Sequence, residues 1–316
     1  MNNRHLVCSD DDIYDKEINF LQLFKVIWKG KLIILLSTIA FSLLAVVYAL
    51  SLPNIYRSEA LLAPAEHAQS GVGSSLGGQL GGLASLAGVN LGSNQISKVQ
   101  LAIATLQSRA FVKKFVDKYS LLPDLIAAES WDASTGKVQY DPELYDEQSK
   151  EWIREVSFPR TVIPSDQEAY ESFSDMLRVN VLPDNGMIVL SIEHVSPLVA
   201  ERWVSLLIEE INKEIKERDI KDSHEYSEYL AKELEVTKVA EMQVILNNLL
   251  EEQAKTVMFA SVRNEYVFKV IDPALVPESK VAPKRAVICV VGFLIGLFIG
   301  VSITFVMAFN QKEFDN

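Results

Sequence analysis

Two long uncharged runs dominate the hydrophobic pattern of the chain. Leu32 to Leu52 reads LIILLSTIAFSLLAVVYALSL and Ala286 to Phe309 reads AVICVVGFLIGLFIGVSITFVMAF. Each exceeds the roughly 20 apolar residues that cross about 30 Å of hydrocarbon. Nothing else in the 316 residues does so. The pattern predicts transmembrane helices over 32–52 and 286–309, with a domain of residues 53–285 between them. The residues ahead of the first run include Asp10, Asp11 and Asp12, the wrong sign for a signal-peptide n-region. The run is also longer than an h-region of about 7–15 residues, so it reads as a retained anchor.

Between the anchors the periodicity changes repeatedly. Pro53 ends the first helix, and Ile55 to Leu62 has the composition of a strand. Ser97 to Tyr119 predicts one amphipathic helix, with Leu101, Leu106, Phe111, Phe115 and Val116 as its core positions. Residues 120–160 are polar, with scattered Pro and Trp, and suggest short helices and loops. Met176 to Leu182 and Met187 to His194 read as strands around the turn Pro183-Asp184-Asn185-Gly186.

Ser196-Pro197 then opens a helix, Ser at N-cap and Pro at N1, and no Pro or Gly follows from Leu198 until Pro273. Apolar positions Leu230, Leu234, Val239, Met242, Leu246, Leu249 and Val257 step at close to the helical repeat. A helical region over about 198–262 follows, roughly 100 Å long if continuous. Such a helix would protrude and pack against neighbouring copies, or fold back in pieces; its stripe is too irregular for strict heptads. Tyr266 to Ile271 alternates as a strand, and Pro273, Pro277 and Pro283 keep the approach to the second anchor extended. The expected class is an α+β membrane protein. Its domain would have a mixed α/β base (about 53–200 and 263–285) and a long protruding helix.

Three segments carry further signals. Asn19 to Gly30 places Phe20, Leu23, Phe24, Ile27 and Trp28 on one helical face, either as a helix on the inner membrane surface or as an extension of the anchor. Gly71 to Gly92 is glycine-rich with interspersed leucines, and lacks the Lys-Ser/Thr of a phosphate loop. It reads as a mobile loop or as a segment that orders in an assembly. Gly292, Gly296 and Gly300 form two overlapping GxxxG motifs in the second anchor. Such a stripe lets another helix approach closely: the first anchor, another copy, or a different membrane protein.

Charge and composition narrow the class of function. The mean hydropathy of +0.14 comes from the two runs, since 49% hydrophobic residues is ordinary. Lys25, Lys29 and Lys31 precede the first anchor and only Arg57 follows it closely, which places residues 1–31 and the tail 310–316 in the cytoplasm. Lys280, Lys284 and Arg285 argue the other way, but a long loop translocates largely regardless of charge. A net charge of −12 disfavours nucleic acid or an anionic lipid surface as a general partner. The only cysteines are Cys8 and Cys289, so the domain lacks disulfides and depends on packing and oligomerisation. His5, His67, His194 and His224 are dispersed, and no HExxH, GxSxG or CxxC occurs. Glu209-Glu210 and Glu251-Glu252 read as solvated helix faces. No catalytic, cofactor-binding or metal-binding residue is assigned, and a two-carboxylate glycosidase site has no specific support.

Four stretches together resemble the Wzz chain-length determinants, the polysaccharide co-polymerases of Gram-negative bacteria. They are INFLQLFKVIWKGK (Ile18 to Lys31), YRSEALLAP (Tyr56 to Pro64), HVSPLVAERWVSLLIEEIN (His194 to Asn212) and EEQAKTVMFASVRNEYVFKVIDPALVPESKVAPKRA (Glu251 to Ala286). The resemblance implies a homo-oligomeric ring in the inner membrane, with a periplasmic α/β base and a long projecting helix. It also implies a non-enzymatic role: biasing the length at which the O-antigen polymerase Wzy stops extending the undecaprenyl-linked chain of lipopolysaccharide. Pro273, Pro277, Pro283, Gly292, Gly296 and Gly300 fall in the segment tied to function in that family. Related co-polymerases for capsule and exopolysaccharide carry a cytoplasmic tyrosine kinase, and the seven residues after the second anchor hold no Walker motif or tyrosine cluster. Regulation of another surface polysaccharide, enterobacterial common antigen included, is the alternative. A two-anchor periplasmic receptor is a more distant one.

Overall fold

A computed structural model describes residue 28 and residues 30–65 and 97–314, with side chains as far as Met307. The glycine-rich stretch 71–92, and nearly all of the amphipathic segment 19–30, lie outside the described residues. The chain divides at Leu52/Pro53 and at Pro283/Lys284 into two units.

The first unit is a pair of apolar helices, α1 (Lys31–Ser51) and a later helix (Arg285–Phe314). Both are long and apolar enough to cross a membrane. They run antiparallel in close contact, and most of their large apolar side chains face outward: Leu32, Leu36, Leu43, Leu44, Phe298 and Val306 are all exposed. An outward apolar shell is the expected surface of a pair bathed in lipid.

The second unit begins with β1 (Ile55–Pro64), α2 (Lys98–Leu106), α3 (Arg109–Tyr119) and α4 (Leu122–Ile126). Two small antiparallel pairs follow: β2 (Ala128–Asp132) with β3 (Lys137–Tyr140), and β4 (Tyr145–Asp146) with β5 (Glu151–Trp152). The chain continues through α5 (Asp166–Met176), β6 (Leu177–Val181) and β7 (Ile188–His194) into α6 (Pro197–Val236). Then come α7 (Ala240–Val262), β8 (Phe268–Asp272) and β9 (Lys280–Ala282); the second apolar helix, Arg285–Phe314, is α8.

The single helix expected over Ser97 to Tyr119 is two. Ser97 caps α2 through a capping box with Gln100, and Ser108 starts α3 afresh by accepting from the Phe111 amide. A serine within a helical pattern competes for backbone donors, and here it resets the helix axis. Helix α5 was not foreseen. Its Ser165-x-x-Glu168 capping box is present in the sequence, just after the polar stretch 120–160 read as short helices and loops.

The main sheet is antiparallel, in the order β6-β7-β1-β8, with β9 pairing the other end of β1. Tyr56 lies opposite His194, Ala60 opposite Leu190 and Leu62 opposite Ile188, while Leu177 pairs with Ile192. The β6–β7 turn falls where Pro183 to Gly186 predicts it, with Gly186 at φ +67°. Helices cover the sheet. On α6 the stripe Trp203, Val204, Leu207, Ile211 and Ile215 is buried at helical spacing, and it meets Phe111, Val112, Phe115 and Val116 of α3 and Phe173 of α5 in one core. Leu106 joins them, whereas Leu101 is only half-buried.

Past Ile215 the stripe of α6 thins to the half-buried Ile220 and the buried Ser223, and beyond them the helix leaves the core. It does not continue to Val262 as one rod. Thr237 adopts an extended conformation, and its hydroxyl donates to Glu233 O at 2.8 Å. Gln243 Nε2 donates to Thr237 O at 2.8 Å across the corner. No glycine or proline is needed: two β-branched residues, Val236 and Thr237, and side-chain bonds to the backbone are enough to end the helix. Helix α7 then returns alongside α6, so that Lys216 Nζ reaches Arg263 O at 3.4 Å. The protrusion is therefore a helical hairpin, the fold-back alternative of the sequence reading.

Candidate functional site

In α8 the three glycines occupy one face, and the groove they form is filled by α1. A Cβ on Gly292 would lie 2.3 Å from Ala45 Cβ. One on Gly296 would lie 2.9 Å from both Phe41 Cβ and Thr38 Cα, and one on Gly300 would lie 2.3 Å from Ser37 Oγ and 2.8 Å from Ile34 Cα. These are distances at which backbone must move, so each glycine is a requirement of the approach. Of the three partners that the sequence leaves open, the structure selects the chain's own first anchor.

Polar groups complete the seam. Ser37 Oγ donates to Gly296 O at 2.8 Å, an interhelical hydrogen bond made possible by the missing side chain. Thr38 and Thr304 are buried, and each turns its hydroxyl back to a carbonyl of its own helix. The contact extends to Gly30, where a Cβ would fall 2.1 Å from Thr304 Cγ2. Sequence reasoning missed Gly30, because a lone glycine ahead of an anchor looks like simple helix punctuation.

In the other unit the three prolines lie on one segment laid along β1. Pro273 is exposed and directly follows β8, Pro277 is half-buried, and Pro283 directly follows β9. Ser58 Oγ donates to Leu275 O at 2.8 Å, and Lys280 Nζ to Asn54 Oδ1 at 3.0 Å. Ile55 pairs with Ala282 and Tyr56 with Lys280. The segment is thus not merely extended between prolines; part of it is a strand.

Several buried titratable groups of this unit are occupied structurally. His194 is buried at a junction: its Nδ1 accepts from Ser196 N at 3.0 Å, which leaves Nε2 to donate to Asp124 O at 2.8 Å. Burial holds its pKa below the ordinary histidine value. Glu210, read from sequence as part of a solvated face, is 8% exposed. It accepts from Lys118 and from Tyr119 Oη. Burial pushes its pKa up, yet these bonds outweigh burial and hold it below the usual carboxylate range. Only Glu209 of that pair faces solvent.

Arg154 is buried and donates to both Glu168 carboxylate oxygens, at 2.9 and 2.8 Å. It also donates to Val162 O and Thr161 O. The guanidinium brings the Glu168 pKa down to about 2. Asn212 spends its whole amide on the root of the hairpin, donating to Ile208 O and Phe268 O and accepting from Val267 N and Phe268 N. Among the described residues no group of three or more His, Cys, Asp or Glu is placed to hold a metal ion.

Two family models match the sequence. Residues 16–119 match Wzz, the chain length determinant protein. Residues 229–309 match GNVR, the "G-rich domain on putative tyrosine kinase". Between them they take in both apolar helices and more than half of the chain. Over residues 16–119 the chain is similar to the Wzz chain length determinant family. In sequence order, its two apolar helices flank a mixed α/β domain. Among curated proteins no sequence matches this chain. Solved structures similar to it include a full-length bacterial polysaccharide co-polymerase, at 13% identity over 93% of this chain and 99% of that one, with a TM-score of 0.39. Another is a fragment of WzzB, the polysaccharide co-polymerase from Salmonella Typhimurium, at 11% identity over 72% and 100% of the two chains, with a TM-score of 0.28. The glycine stripe and the proline segment both lie in the stretch matched by the GNVR model.

Proposed function

We propose that this chain is a non-enzymatic, homo-oligomeric scaffold of the bacterial inner membrane that sets the length of the O-antigen made by a Wzy-type polymerase. In this reading both termini are cytoplasmic, in keeping with Lys25, Lys29 and Lys31, and residues 53–285 form the periplasmic domain. The observation that carries it is the incomplete helical hairpin. Two helices bury one seam, yet Tyr226, Tyr229, Val236, Val239, Met242, Val244 and Ile245 remain between 46 and 68% exposed. An apolar surface of this kind on a protruding element is an association surface, and helices of neighbouring copies would complete the bundle. The assembled surface would then bias when the polymerase releases its undecaprenyl-linked product. Gly292, Gly296 and Gly300 would act by holding the two anchors as one unit, and Pro273, Pro277 and Pro283 by fixing the segment that leads into it.

The lipopolysaccharide ladder of a host lacking its own regulator tests this directly. A random ladder that becomes clustered when the gene is supplied establishes O-antigen length control. The GNVR match favours a second reading, a co-polymerase for capsule or exopolysaccharide. An unchanged ladder alongside an altered size distribution of either of those polymers would replace the first reading with the second.

A further inference from the structure

The two sides of the main sheet end differently. On the β6 side, Leu182 bonds to Met187, and alternate residues of an antiparallel strand face opposite ways. Val179 and Val181 therefore aim their N–H and C=O groups away from β7. Among the described residues no strand pairs β6 there. The strand has no proline, no register shift and a single charge, Arg178, so its edge is poorly guarded. Val181 is exposed. The far side is closed along β8: Asn212 takes the Phe268 N–H and C=O, and Glu265 Oε1 accepts from Val270 N at 3.0 Å. Beyond β8 the chain is slack. From Asp272, opposite Leu61, to Lys280, opposite Tyr56, eight steps of chain run along five of β1. The surplus forms a bow, tied to β1 where Ser58 Oγ donates to Leu275 O, and it leaves Leu275 and Val276 exposed.

Direction decides which of these surfaces can meet. β6 runs parallel to β1, two antiparallel steps away, and the bow runs antiparallel to β1. Both links to the anchors leave the sheet at one end, beside the Ile55–Ala282 pair. Copies that cross one membrane in the same sense therefore bring β6 of one antiparallel to the bow of the next. Antiparallel pairing of β6 with β6 would need the two copies in opposite senses. The charges agree with the first arrangement. Laying Val181 against Leu275 and Val276 carries Arg178 to Glu278, and both are exposed. Within its own copy Arg178 donates to neutral groups, the carbonyls of Ser174 and Leu177, at 3.2 and 3.0 Å.

We propose that the β6 edge of one copy docks head to tail on the Leu275–Val276 bow of a second copy, with Arg178 paired to Glu278 across the contact. A head-to-tail contact of this kind repeats until a ring closes. The proposal rests on the homo-oligomer of the proposed function and is separate from the hairpin contact. The test uses the full chain in detergent, in a Cys8→Ser, Cys289→Ser background. Val181→Cys and Leu275→Cys together should give a ladder of dimers, trimers and larger species with a bifunctional maleimide. The reagent is chosen shorter than the roughly 14 Å, three strand spacings, that separates the two positions in one copy. Neither cysteine alone should give a ladder. Arg178→Glu should suppress it, and Glu278→Arg added to that variant should restore it. Dimers from either single cysteine would reveal a two-fold contact and overturn the proposal. An absent ladder, or one that charge reversal leaves unchanged, would overturn it too when light scattering gives a mass of several chains; the homo-oligomer would then stand without this interface. A particle with the mass of one chain would overturn the homo-oligomer and the interface with it.

Discussion

Asn212 illustrates how much one polar side chain decides when it is buried with every hydrogen-bonding position used. Two backbone amides, those of Val267 and Phe268, rely on its Oδ1 at 2.8 and 2.9 Å. Asn212→Ala strands both in the core, and a buried unsatisfied donor costs on the order of 1–3 kcal/mol. The variant should lose about 3 kcal/mol, read as a lowered midpoint in urea unfolding of the purified chain; an unchanged midpoint would mean that water replaces the amide. His194 acts through protonation. Its folded-state pKa lies below the ordinary value near 6.5 because burial disfavours the cation. Its contribution is therefore complete above about pH 6.5 and is lost as pH falls through the folded-state value, where the proton displaces the Ser196 bond. Tm should fall between pH 7 and pH 5, and His194→Gln should flatten that slope. Glu168, held at about 2 by Arg154, titrates well below this window.

At the scale of elements, the antiparallel anchors depend on absent side chains. Leu at position 296 would drive into the backbone of Thr38, since even a Cβ comes within 2.9 Å of its Cα. Gly296→Leu should separate the helices and break the Ser37 bond. The expected result is a broadened polysaccharide length distribution with the protein still present in the membrane. An unchanged distribution would show that close helix pairing is irrelevant to length control. The hairpin is a different kind of element, held by one seam and a corner at Thr237. Its outer face is the place to test assembly: Ile245→Glu puts a charge where apolar contact between copies is expected. It should shift the detergent-solubilised particle to a smaller mass in light scattering. A particle of unchanged mass would remove this face from the interface.

For the whole molecule, the sequence alone determined whatever depends on neighbours along the chain. Two uncharged runs specify two apolar helices, because no other chain conformation satisfies its own backbone in hydrocarbon. Ser196-Pro197 marked the start of α6, and Pro183 to Gly186 marked the β6–β7 turn, because caps and turns are local hydrogen-bond problems. The glycine stripe announced close helix approach, but the stripe is equally compatible with any partner. Only the antiparallel docking of α1 identified that partner and brought in Gly30, 262 positions from Gly292. The fold-back of α7 was likewise a tertiary decision: no breaker residue signals it, and the corner holds because the returning helix buries Leu246 and Ala260. Glu210, Arg154 and Asn212 belong to the same class. A charge or amide on a helix face, or in a loop as Arg154 is, looks solvated until the facing elements are known, and those elements are brought there by pairing between distant strands and helices, which residue spacing does not encode.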